Sequence, residues 1–391
     1  MKVGIVCYPT FGGSGVVATE LGKALGEREH IVHFITYERP VRLGRFTRNV
    51  FFHQVKAQEY PLFDFVPYES ALTSKLVDVV RFENLDILHV HYAIPHASSA
   101  YFAQQILKEM GIHIPFITTL HGTDSTLVGI SSAYEPVVSF SINHSNGITC
   151  VSNYLKQITI QNFQIQKPIK VIPNFIDTRR FKPLDSTVHN KNCLAPQGER
   201  ILMHVSNFRK VKRVKDVVEV FRILEPELPL RLVFVGDGPE RDQVESLVRK
   251  YQLNTKVSFL GNQESVEDLL PLGDIFILPS ENESFGLAVL EAMACGLPVV
   301  CTATGGLPEV VSHGLSGFLS PLGDVEDMAK NIRIILASED TYQQFSLNAR
   351  KEAQRFTLEY ILPQYENYYE EVLLHFHEEP HQQSSQLAKL S

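Results

Sequence analysis

Short apolar runs alternate with helix-like patterns along almost the whole chain, and this alternation limits the possible folds more than any other feature. Strands separated by helices pair in parallel, because a parallel pair needs a long crossover connection between its members. In the first half the predicted strands are Val3–Tyr8, Ile31–Thr36, Val50–Val55, Ile87–His91, Phe116–Leu120, Ile148–Ser152 and Lys170–Ile172. In the second half they are Ile201–Val205, Arg231–Val235, Lys256–Leu260, Ile275–Leu278 and Val299–Cys301. The pattern predicts an α/β protein with doubly wound parallel sheets.

Length and a break in the pattern predict two domains. A chain of 391 residues is long enough for two domains that each bury a core. The stretch Pro173–Pro183, followed by polar residues to Arg200, interrupts the alternation and is predicted to link them. We expect a first domain over 1–180, a second over 190–355, and a flexible polar tail over 377–391. A crevice between two doubly wound domains is the expected ligand site, with chemistry at the carboxyl ends of the strands.

Composition argues against several classes of protein. The net charge of −8 disfavours a nucleic-acid-binding surface and a basic face for docking on a membrane. No apolar run approaches 18 residues, and Pro9 breaks the N-terminal run, so neither a membrane span nor a signal peptide is predicted. The cysteines show no CxxC spacing, and Cys7, Cys150 and Cys301 fall in strand-like runs, which predicts buried free thiols. We therefore expect a cytoplasmic protein, and the sequence leaves open whether it forms a homo-oligomer.

Two glutamates eight residues apart, Glu283 and Glu291, lie in the most informative stretch of the chain. This stretch follows the predicted strand Ile275–Leu278 and enters a helix that Ser284 is expected to cap and Gly296 to end. Glu283 would then precede the helix N-terminus, where backbone N–H groups attract anions, and Glu291 would lie about 10 Å further along the axis. Two carboxylates at that separation, with an anion site between them, suit a ligand made of a sugar, a diphosphate and a ribose.

Two other interpretations of this glutamate pair are weaker. Most such pairs are solvated helix residues, but the step Phe285–Gly286 favours a ligand, because a glycine at a helix start allows close approach. The carboxylates of a glycosidase stand roughly 5–9.5 Å apart across one bond, and the helical spacing here exceeds that range.

Polar residues also follow several predicted strands of the first domain. The loop Gly12–Gly15 follows the first strand and opens a helix, so its backbone could approach a phosphate. It matches neither GxGxxG nor a Walker sequence, and a tight turn is an equally good interpretation. Tyr92, His121 and Asn153 each follow a further strand, so we expect their polar groups to converge on one crevice. Ligand spacing typical of a metal site is missing, and no metal is predicted. Four other histidines are expected to be structural: His89, His91, His96 and His113.

In the second domain, five cations occupy the seven positions from Arg209 to Lys215, directly after a predicted strand. Such runs are usually solvated, but cations at the carboxyl end of a strand can offset the charge of a diphosphate and stabilise it as a leaving group. Arg209 and Lys212 are the best candidates. Turns at Gly236 and Gly261 end two neighbouring strands and could hold a flat base. The arginines Arg39, Arg42, Arg45 and Arg48 lie in a loop that is predicted to be solvated, with an acidic acceptor or anionic lipid as the functional alternative.

Taken together, these motifs resemble the retaining GT-B glycosyltransferases of family 4, from the glycine loop to Gly317–Leu319. The stretches His89–His96, Thr118–Asp124 and Ser206–Arg213 resemble in particular the members that act in bacillithiol biosynthesis. The resemblance implies a GT-B fold, with two Rossmann-like domains facing a central crevice and a C-terminal helix over about 356–376 that crosses back to the first domain. It also implies transfer of N-acetylglucosamine from UDP-N-acetylglucosamine to the hydroxyl of L-malate, with retained configuration and without a metal or cofactor.

The resemblance assigns roles to individual residues. Glu291 would hold the ribose hydroxyls, Glu283 the sugar hydroxyls, and His121 would lie beside the anomeric centre. Arg209 and Lys212 would bind the diphosphate, together with backbone N–H groups of Gly13, Leu287 and Ala288. Further donor contacts are implied for Asn207, Gly236, Gly261, Asn262, Phe285 and Gly286. Acceptor contacts are implied for Ser14, Tyr92, Thr119 and Asn153.

One departure from the family pattern concerns the basic turn. The usual arginine of an Arg-x4-Lys pair is replaced by Asn207, which raises the question whether Arg209 takes over its role. The rival interpretations are a family-4 transferase with another sugar or lipid acceptor, a two-domain UDP-sugar epimerase, and a non-catalytic nucleotide-sugar-binding protein. The polar groups Tyr92, Thr119 and Asn153 weigh against the last of these.

Overall fold

The computed structural model describes residues 1–10, 12–44, 46–57, 66–123, 131, 133–183 and 191–387, with backbone alone for 379–387. Arg45 and Asp124, which belong to two of the predicted motifs, lie outside the described residues. The chain divides into two compact units. Unit 1 comprises Met1–Asn174 together with Glu359–Ser391, and unit 2 comprises Phe175–Leu358.

Unit 1 contains a parallel sheet with the order β3-β2-β1-β4-β5-β6-β7. Its strands are β1 (Lys2–Val6), β2 (Ile31–Thr36), β3 (Val50–Gln54), β4 (Ile87–His91), β5 (Phe116–Leu120), β6 (Gly147–Cys150) and β7 (Lys170–Val171). The central strands are buried on both faces, as expected for a sheet covered by helices on each side, although β4 and β5 also carry buried histidines and threonines. The order of strands reverses direction at β1 and β4, and loops that follow these two strands therefore lie at a topological switch point.

The helices of unit 1 are α1 (Gly13–Glu27), α2 (Tyr68–Glu83), α3 (Ser98–Glu109), α4 (Glu135–His144), α5 (Asn153–Asn162) and the last helix, α13 (Leu358–Leu387). Aromatic residues anchor α13 to the sheet. The backbone N–H of Ile148 donates to the Tyr368 hydroxyl at 2.9 Å, and the Tyr369 hydroxyl lies 2.7 Å from His89 Nδ1. This helix is longer than the predicted segment of about 356–376.

Unit 2 contains a second parallel sheet with the order β10-β9-β8-β11-β12-β13. Its strands are β8 (Arg200–Val205), β9 (Leu230–Val235), β10 (Val257–Phe259), β11 (Ile275–Leu278), β12 (Val299–Thr302) and β13 (Gly317–Ser320). Its helices are α6 (Val214–Leu224), α7 (Arg241–Lys250), α8 (Val266–Leu269), α9 (Leu287–Ala294), α10 (Leu307–Val310), α11 (Val325–Ile335) and α12 (Glu339–Ala353). The switch point of this sheet lies between β8 and β11.

The predicted α/β class with doubly wound parallel sheets is confirmed. Each predicted strand is present, with ends that differ by two residues at most. The strand β13 was not predicted, because its four residues begin with a glycine and give no alternating pattern. Cys7, Cys150 and Cys301 are buried free thiols, as predicted. Across the described residues, no helix is both long enough and apolar enough to cross a membrane.

Candidate active site

The first group of predicted site residues lies at the switch point of unit 1, and we call it the N-terminal site: Gly13, Ser14, Tyr92, Thr119, His121 and Asn153. Gly13 and Ser14 open α1 after β1, Tyr92 follows β4, and His121 follows β5. Asn153 opens α5 after β6, where the Ser152 hydroxyl caps the helix by accepting from the Leu155 N–H at 3.1 Å. The parallel topology explains this placement, because the carboxyl ends of neighbouring parallel strands share one edge.

Ser14 and Tyr92 are joined directly, with 2.6 Å between their hydroxyl oxygens. Tyr92 has a φ of +87°, which is uncommon for a residue with a side chain and costs of order 1–3 kcal/mol. Its N–H donates to the Thr119 carbonyl at 2.9 Å, which helps to hold this conformation. The glycine loop is also sterically constrained: a Cβ at Gly15 would lie 2.4 Å from the Tyr8 carbonyl oxygen, so only glycine fits there. The N-terminal site thus contains one residue with a strained backbone and one position that only glycine fits.

Buried histidines contact residues of the N-terminal site. His121 Nε2 lies 2.8 Å from His91 Nδ1, and the two rings stack at 5.0 Å. His91 in turn stacks on His89, whose Nε2 lies 2.6 Å from the Thr119 hydroxyl. His96 Nδ1 lies 2.5 Å from the His91 carbonyl oxygen, to which it donates. The result is a continuous set of rings and hydroxyls that fixes the orientation of His121 and Thr119.

Desolvation keeps these imidazoles neutral. Burial lowers the pKa of His89 and of His121 to about 3, and that of His96 to about 4. Burial also lowers the pKa of His91 well below its usual value, with the neighbouring His89 adding to the effect. A neutral imidazole donates from one nitrogen and accepts at the other, so His91 and His121 can form the hydrogen bond between their rings without either being charged.

The second group of predicted residues lies in unit 2, and we call it the C-terminal site: Asn207, Arg209, Lys212, Gly236, Gly261, Asn262, Glu283, Phe285, Gly286, Leu287, Ala288 and Glu291. Its centre is an ion pair between the Lys212 Nζ and Glu283 Oε1 atoms, 2.5 Å apart and mostly shielded from solvent. Ser280 Oγ donates to the same carboxylate oxygen at 2.7 Å. The Glu281 N–H donates to the Val211 carbonyl at 2.8 Å. The basic turn after β8 and the acidic turn after β11 are therefore held together by both backbone and side chains.

Glycines bring the backbones of this site close together. A Cβ at Gly305 would lie 2.0 Å from the Glu283 carbonyl oxygen, and the Gly306 N–H donates to that oxygen at 2.7 Å. Gly236 has a φ of +110°, and a Cβ there would lie 1.9 Å from the Ser206 carbonyl oxygen. Its N–H donates to the Gly261 carbonyl at 2.7 Å, which joins the two predicted base-binding turns.

The start of α9 differs from the prediction. The expected N-cap, Ser284, is wrong, because the helix begins at Leu287 and its N-cap is Gly286 with a φ of +98°. The left-handed Gly286 turns the chain so sharply that Ser284 stays outside the first helical turn. The first-turn N–H groups of Leu287 and Ala288 precede the first intrahelical hydrogen bonds, and no side chain caps this end. The predicted end is confirmed: Gly296 has a φ of +90°, and the Leu297 N–H donates to the Ala292 carbonyl.

The remaining residues of the C-terminal site differ in how much of each side chain is exposed to solvent. The Glu291 residue on α9 is only 9% exposed, and Phe285 is 3% exposed with its ring packed edge-on against Phe356 at 5.5 Å. Asn207, Arg209 and Asn262 are exposed, and no ion pair of Arg209 is present among the described residues. In the arginine loop, Arg48 pairs with Glu29 on the surface.

Sequence reasoning missed several residues that support these sites. His91 was expected to be structural, yet it contacts His121 directly. Ser280 and the pair His204–Ser206 were also missed. His204 is buried, which lowers its pKa to about 4, and its Nε2 lies 2.7 Å from Ser206 Oγ. Ser280 could have been found from its position three residues before Glu283, whereas the histidine contacts join strands that no sequence spacing relates.

Two family models cover the two halves of the chain. The model described as Glycosyltransferase Family 4 matches residues 11–180. The model described as Glycosyl transferases group 1 matches residues 185–352. These two matches, the two parallel sheets and the polar residues at the switch points of the sheets define the protein as a glycosyltransferase of the GT-B class.

Solved structures agree with this class at the level of the fold. The sucrose-phosphate synthase of Thermosynechococcus elongatus has a TM-score of 0.79 at 20% identity and covers 96% of this chain and 99% of its own. The Anabaena protein HepE, in complex with UDP and glucose, has a TM-score of 0.79 at 22% identity and covers 94% of this chain and 99% of its own.

Similar proteins of known name indicate the family within this class. The N-acetyl-alpha-D-glucosaminyl L-malate synthase of Bacillus anthracis is 45% identical over 374 residues, which are 95% of this chain and 97% of that protein. The phosphatidylinositol N-acetylglucosaminyltransferase gpi3 subunit of Schizosaccharomyces pombe is 27% identical over 349 residues, which are 84% of this chain and 71% of that protein. The chain belongs to glycosyltransferase family 4, as the sequence motifs predicted.

Proposed function

We propose that this enzyme transfers N-acetylglucosamine from UDP-N-acetylglucosamine to the hydroxyl of L-malate, with retention at the anomeric carbon and without a metal ion. The observation that carries the proposal is the 45% identity, over nearly the full length of both chains, with a protein named as an N-acetyl-alpha-D-glucosaminyl L-malate synthase. The donor sugar has additional support, because the relative from Schizosaccharomyces pombe is also named as an N-acetylglucosaminyltransferase.

The C-terminal site would bind the donor. The uncapped start of α9 offers N–H groups to the diphosphate, and the buried carboxylate of Glu291 would accept hydrogen bonds from the ribose hydroxyls. Lys212 would offset the charge of the diphosphate while its ion pair holds Glu283 in place for the sugar hydroxyls. Positively charged side chains can perform this neutralisation without a divalent cation. Arg209, which is exposed and lies in the same turn, would add a second charge when the donor binds.

The N-terminal site would bind and orient the acceptor. The Ser14 and Tyr92 hydroxyls supply hydrogen bonds to carboxylate and hydroxyl oxygens, and the N-terminus of α5 at Asn153 favours a carboxylate. Thr119 is fully buried and would act indirectly, through its hydrogen bond to His89. His121, neutral and oriented by His91, would lie beside the anomeric centre. In the transfer, the bond from the anomeric carbon to UDP breaks and the bond to the malate oxygen forms. The hydroxyl proton would pass to the departing phosphate.

A lipid acceptor is the second candidate, because the relative from Schizosaccharomyces pombe is named as a phosphatidylinositol N-acetylglucosaminyltransferase. The experiment that separates the candidates incubates the EDTA-treated enzyme with UDP-N-acetylglucosamine and one acceptor at a time. The acceptors are L-malate, L-lactate, a simple hexose, and vesicles that contain phosphatidylinositol. Products are identified by mass spectrometry, and their anomeric configuration by NMR.

We expect an α-linked N-acetylglucosaminyl malate and at least about 100-fold slower transfer to lactate, because a site that pairs two carboxylates leaves polar groups unmatched when one is missing. Equal rates with malate, lactate and hexose would overturn the malate assignment. Transfer to the vesicles alone would establish the lipid candidate. Activity that disappears with EDTA and returns with Mg²⁺ would overturn the metal-free mechanism.

A further inference from the structure

A cluster of metal-ligating side chains lies in unit 1, and it consists of His33, His53 and Glu83. His33 lies on β2, His53 lies on β3, and Glu83 is the last residue of α2. One potential ligand atom from each of the three lies within 4.8 Å of the others. The sequence predicted no metal site, because these residues are separated by 20 and 30 positions and no short motif relates them.

The pairing of the two strands explains why the histidines meet. The parallel register sets Phe51 beside His33 and His53 beside Ile35, so both histidines project from the same face of the sheet. His33 Nδ1 and His53 Nε2 are 2.9 Å apart, and the His33 ring is stacked between those of Phe51 and His53. His33 is buried, and His53 and Glu83 are partly buried.

The cluster offers a cation one carboxylate and two imidazole nitrogens. His33 Nδ1 and His53 Nε2 share a hydrogen bond, so one of these nitrogens carries the proton that an ion would displace. Glu83 lies at the negative end of the α2 dipole. In the part of the chain that the structure describes, its carboxylate forms no ion pair with a lysine or arginine. Lys2 donates instead to the Glu83 backbone carbonyl at 2.7 Å and acts on His33, whereas Lys75 acts on His53.

We propose that His33, His53 and Glu83 bind a divalent transition-metal cation of the Zn²⁺ type. Two imidazole nitrogens and one carboxylate oxygen are an established ligand set for Zn²⁺, with a fourth position left for water. A metal–nitrogen distance of about 2.0–2.1 Å in tetrahedral geometry requires the two nitrogens to separate to about 3.3 Å, a small opening from 2.9 Å. The ion joins the edge strand β3 and the end of α2 to β2. None of the three residues belongs to the N-terminal or C-terminal site, so the proposal assigns the ion no part in glycosyl transfer.

The test titrates the full-length, EDTA-treated protein with Co²⁺ as a spectroscopic probe and then with Zn²⁺ as a competitor. We expect one Co²⁺ per chain, with the visible absorption of a four-coordinate ion that Zn²⁺ abolishes. Loss of a ligand should weaken Co²⁺ binding at least about 100-fold in His53→Gln, and at least about tenfold in Glu83→Gln. Zn²⁺ should raise the unfolding temperature of the wild-type protein more than that of either variant.

The control is His113→Gln, which removes an exposed histidine of the same unit and should leave the titration unchanged. Circular dichroism establishes that each variant is folded, and Glu83→Gln provides the test if His53→Gln does not fold, since it alters charge with little change in shape. Wild-type affinity in the folded variants, or a wild-type protein that binds no Co²⁺, would overturn the proposal. These readouts do not depend on glycosyl transfer, so their result is separate from that of the acceptor experiment.

Discussion

The N-terminal site and the C-terminal site achieve rigidity by opposite means. In the N-terminal site, neutral histidines are buried against hydroxyls, and burial itself removes their charge. In the C-terminal site, a cation and a carboxylate are joined directly, and glycines bring the surrounding backbone within hydrogen-bonding distance. One protein can therefore preorganise polar groups either by desolvation or by pairing of charges. The two solutions should fail under different conditions.

Acid should produce the largest difference in stability between the two units. In an unfolded chain, histidine has a pKa near 6.5, whereas burial lowers it for six histidines of unit 1: His33, His53, His89, His91, His96 and His121. Among the described residues of unit 2, the histidine with a lowered pKa is His204. A lowered pKa means that the unfolded state binds more protons, so stability is complete above pH 6.5 and is lost as the pH falls toward about 4.

Each such histidine contributes a slope of about 1.4 kcal/mol per pH unit, so unit 1 should lose several kcal/mol more than unit 2 between pH 6.5 and 5. Hydrogen exchange followed by mass spectrometry at a series of pH values measures this, after correction for the intrinsic exchange rate. Peptides from β4 and β5 should lose protection at a higher pH than peptides from β8 and β11. Loss of protection at one common pH would contradict the contrast between the sites.

Removal of the Lys212 cation should impair the C-terminal site specifically. Lys212→Ala eliminates the proposed contact to the diphosphate and leaves Glu283 partly buried without its partner. We expect kcat/KM to fall about 100-fold, which corresponds to about 2.7 kcal/mol, with little change in the KM for malate. The matched control is Lys210→Ala, which removes an exposed charge from the same turn and should change kcat/KM about twofold at most. Equal losses in the two variants would mean that the ion pair has no special role.

A smaller effect should follow from a change in the N-terminal site. Tyr92→Phe removes the hydroxyl that lies 2.6 Å from Ser14 Oγ, while the ring contacts remain. Loss of one hydrogen bond of about 1 kcal/mol should raise the KM for malate about fivefold and leave the KM for the UDP-sugar unchanged. Tyr101→Phe serves as the control, because that ring packs on Phe140 elsewhere in unit 1. Steady-state kinetics with each substrate varied in turn measures both KM values. An equal rise in the KM for the UDP-sugar would contradict this prediction.

The sequence predicted the parallel sheets because burial on both faces leaves a clear apolar signature in each central strand. It also identified the end of α9, since Gly296 and Pro298 are strong local signals. It missed the start of that helix, because the left-handed turn at Gly286 depends on contacts with the segment around Leu307. The contact of His91 with His121 and the pairing of Lys212 with Glu283 were likewise beyond prediction. Such contacts arise from strand order, and strand order is set by the whole sheet.

The last helix has a consequence for how the protein is made. Its tyrosines, Tyr368 and Tyr369, bond to β6 and to His89, so the last segment of the chain completes the first unit. On the ribosome, residues 1–174 emerge early but lack this segment until α13 has been synthesised, whereas unit 2 is already complete at Leu358. The unit that begins first is therefore finished last. A chain terminated prematurely after Leu358 would contain all of unit 2, but His89 in unit 1 would lack its contact with Tyr369.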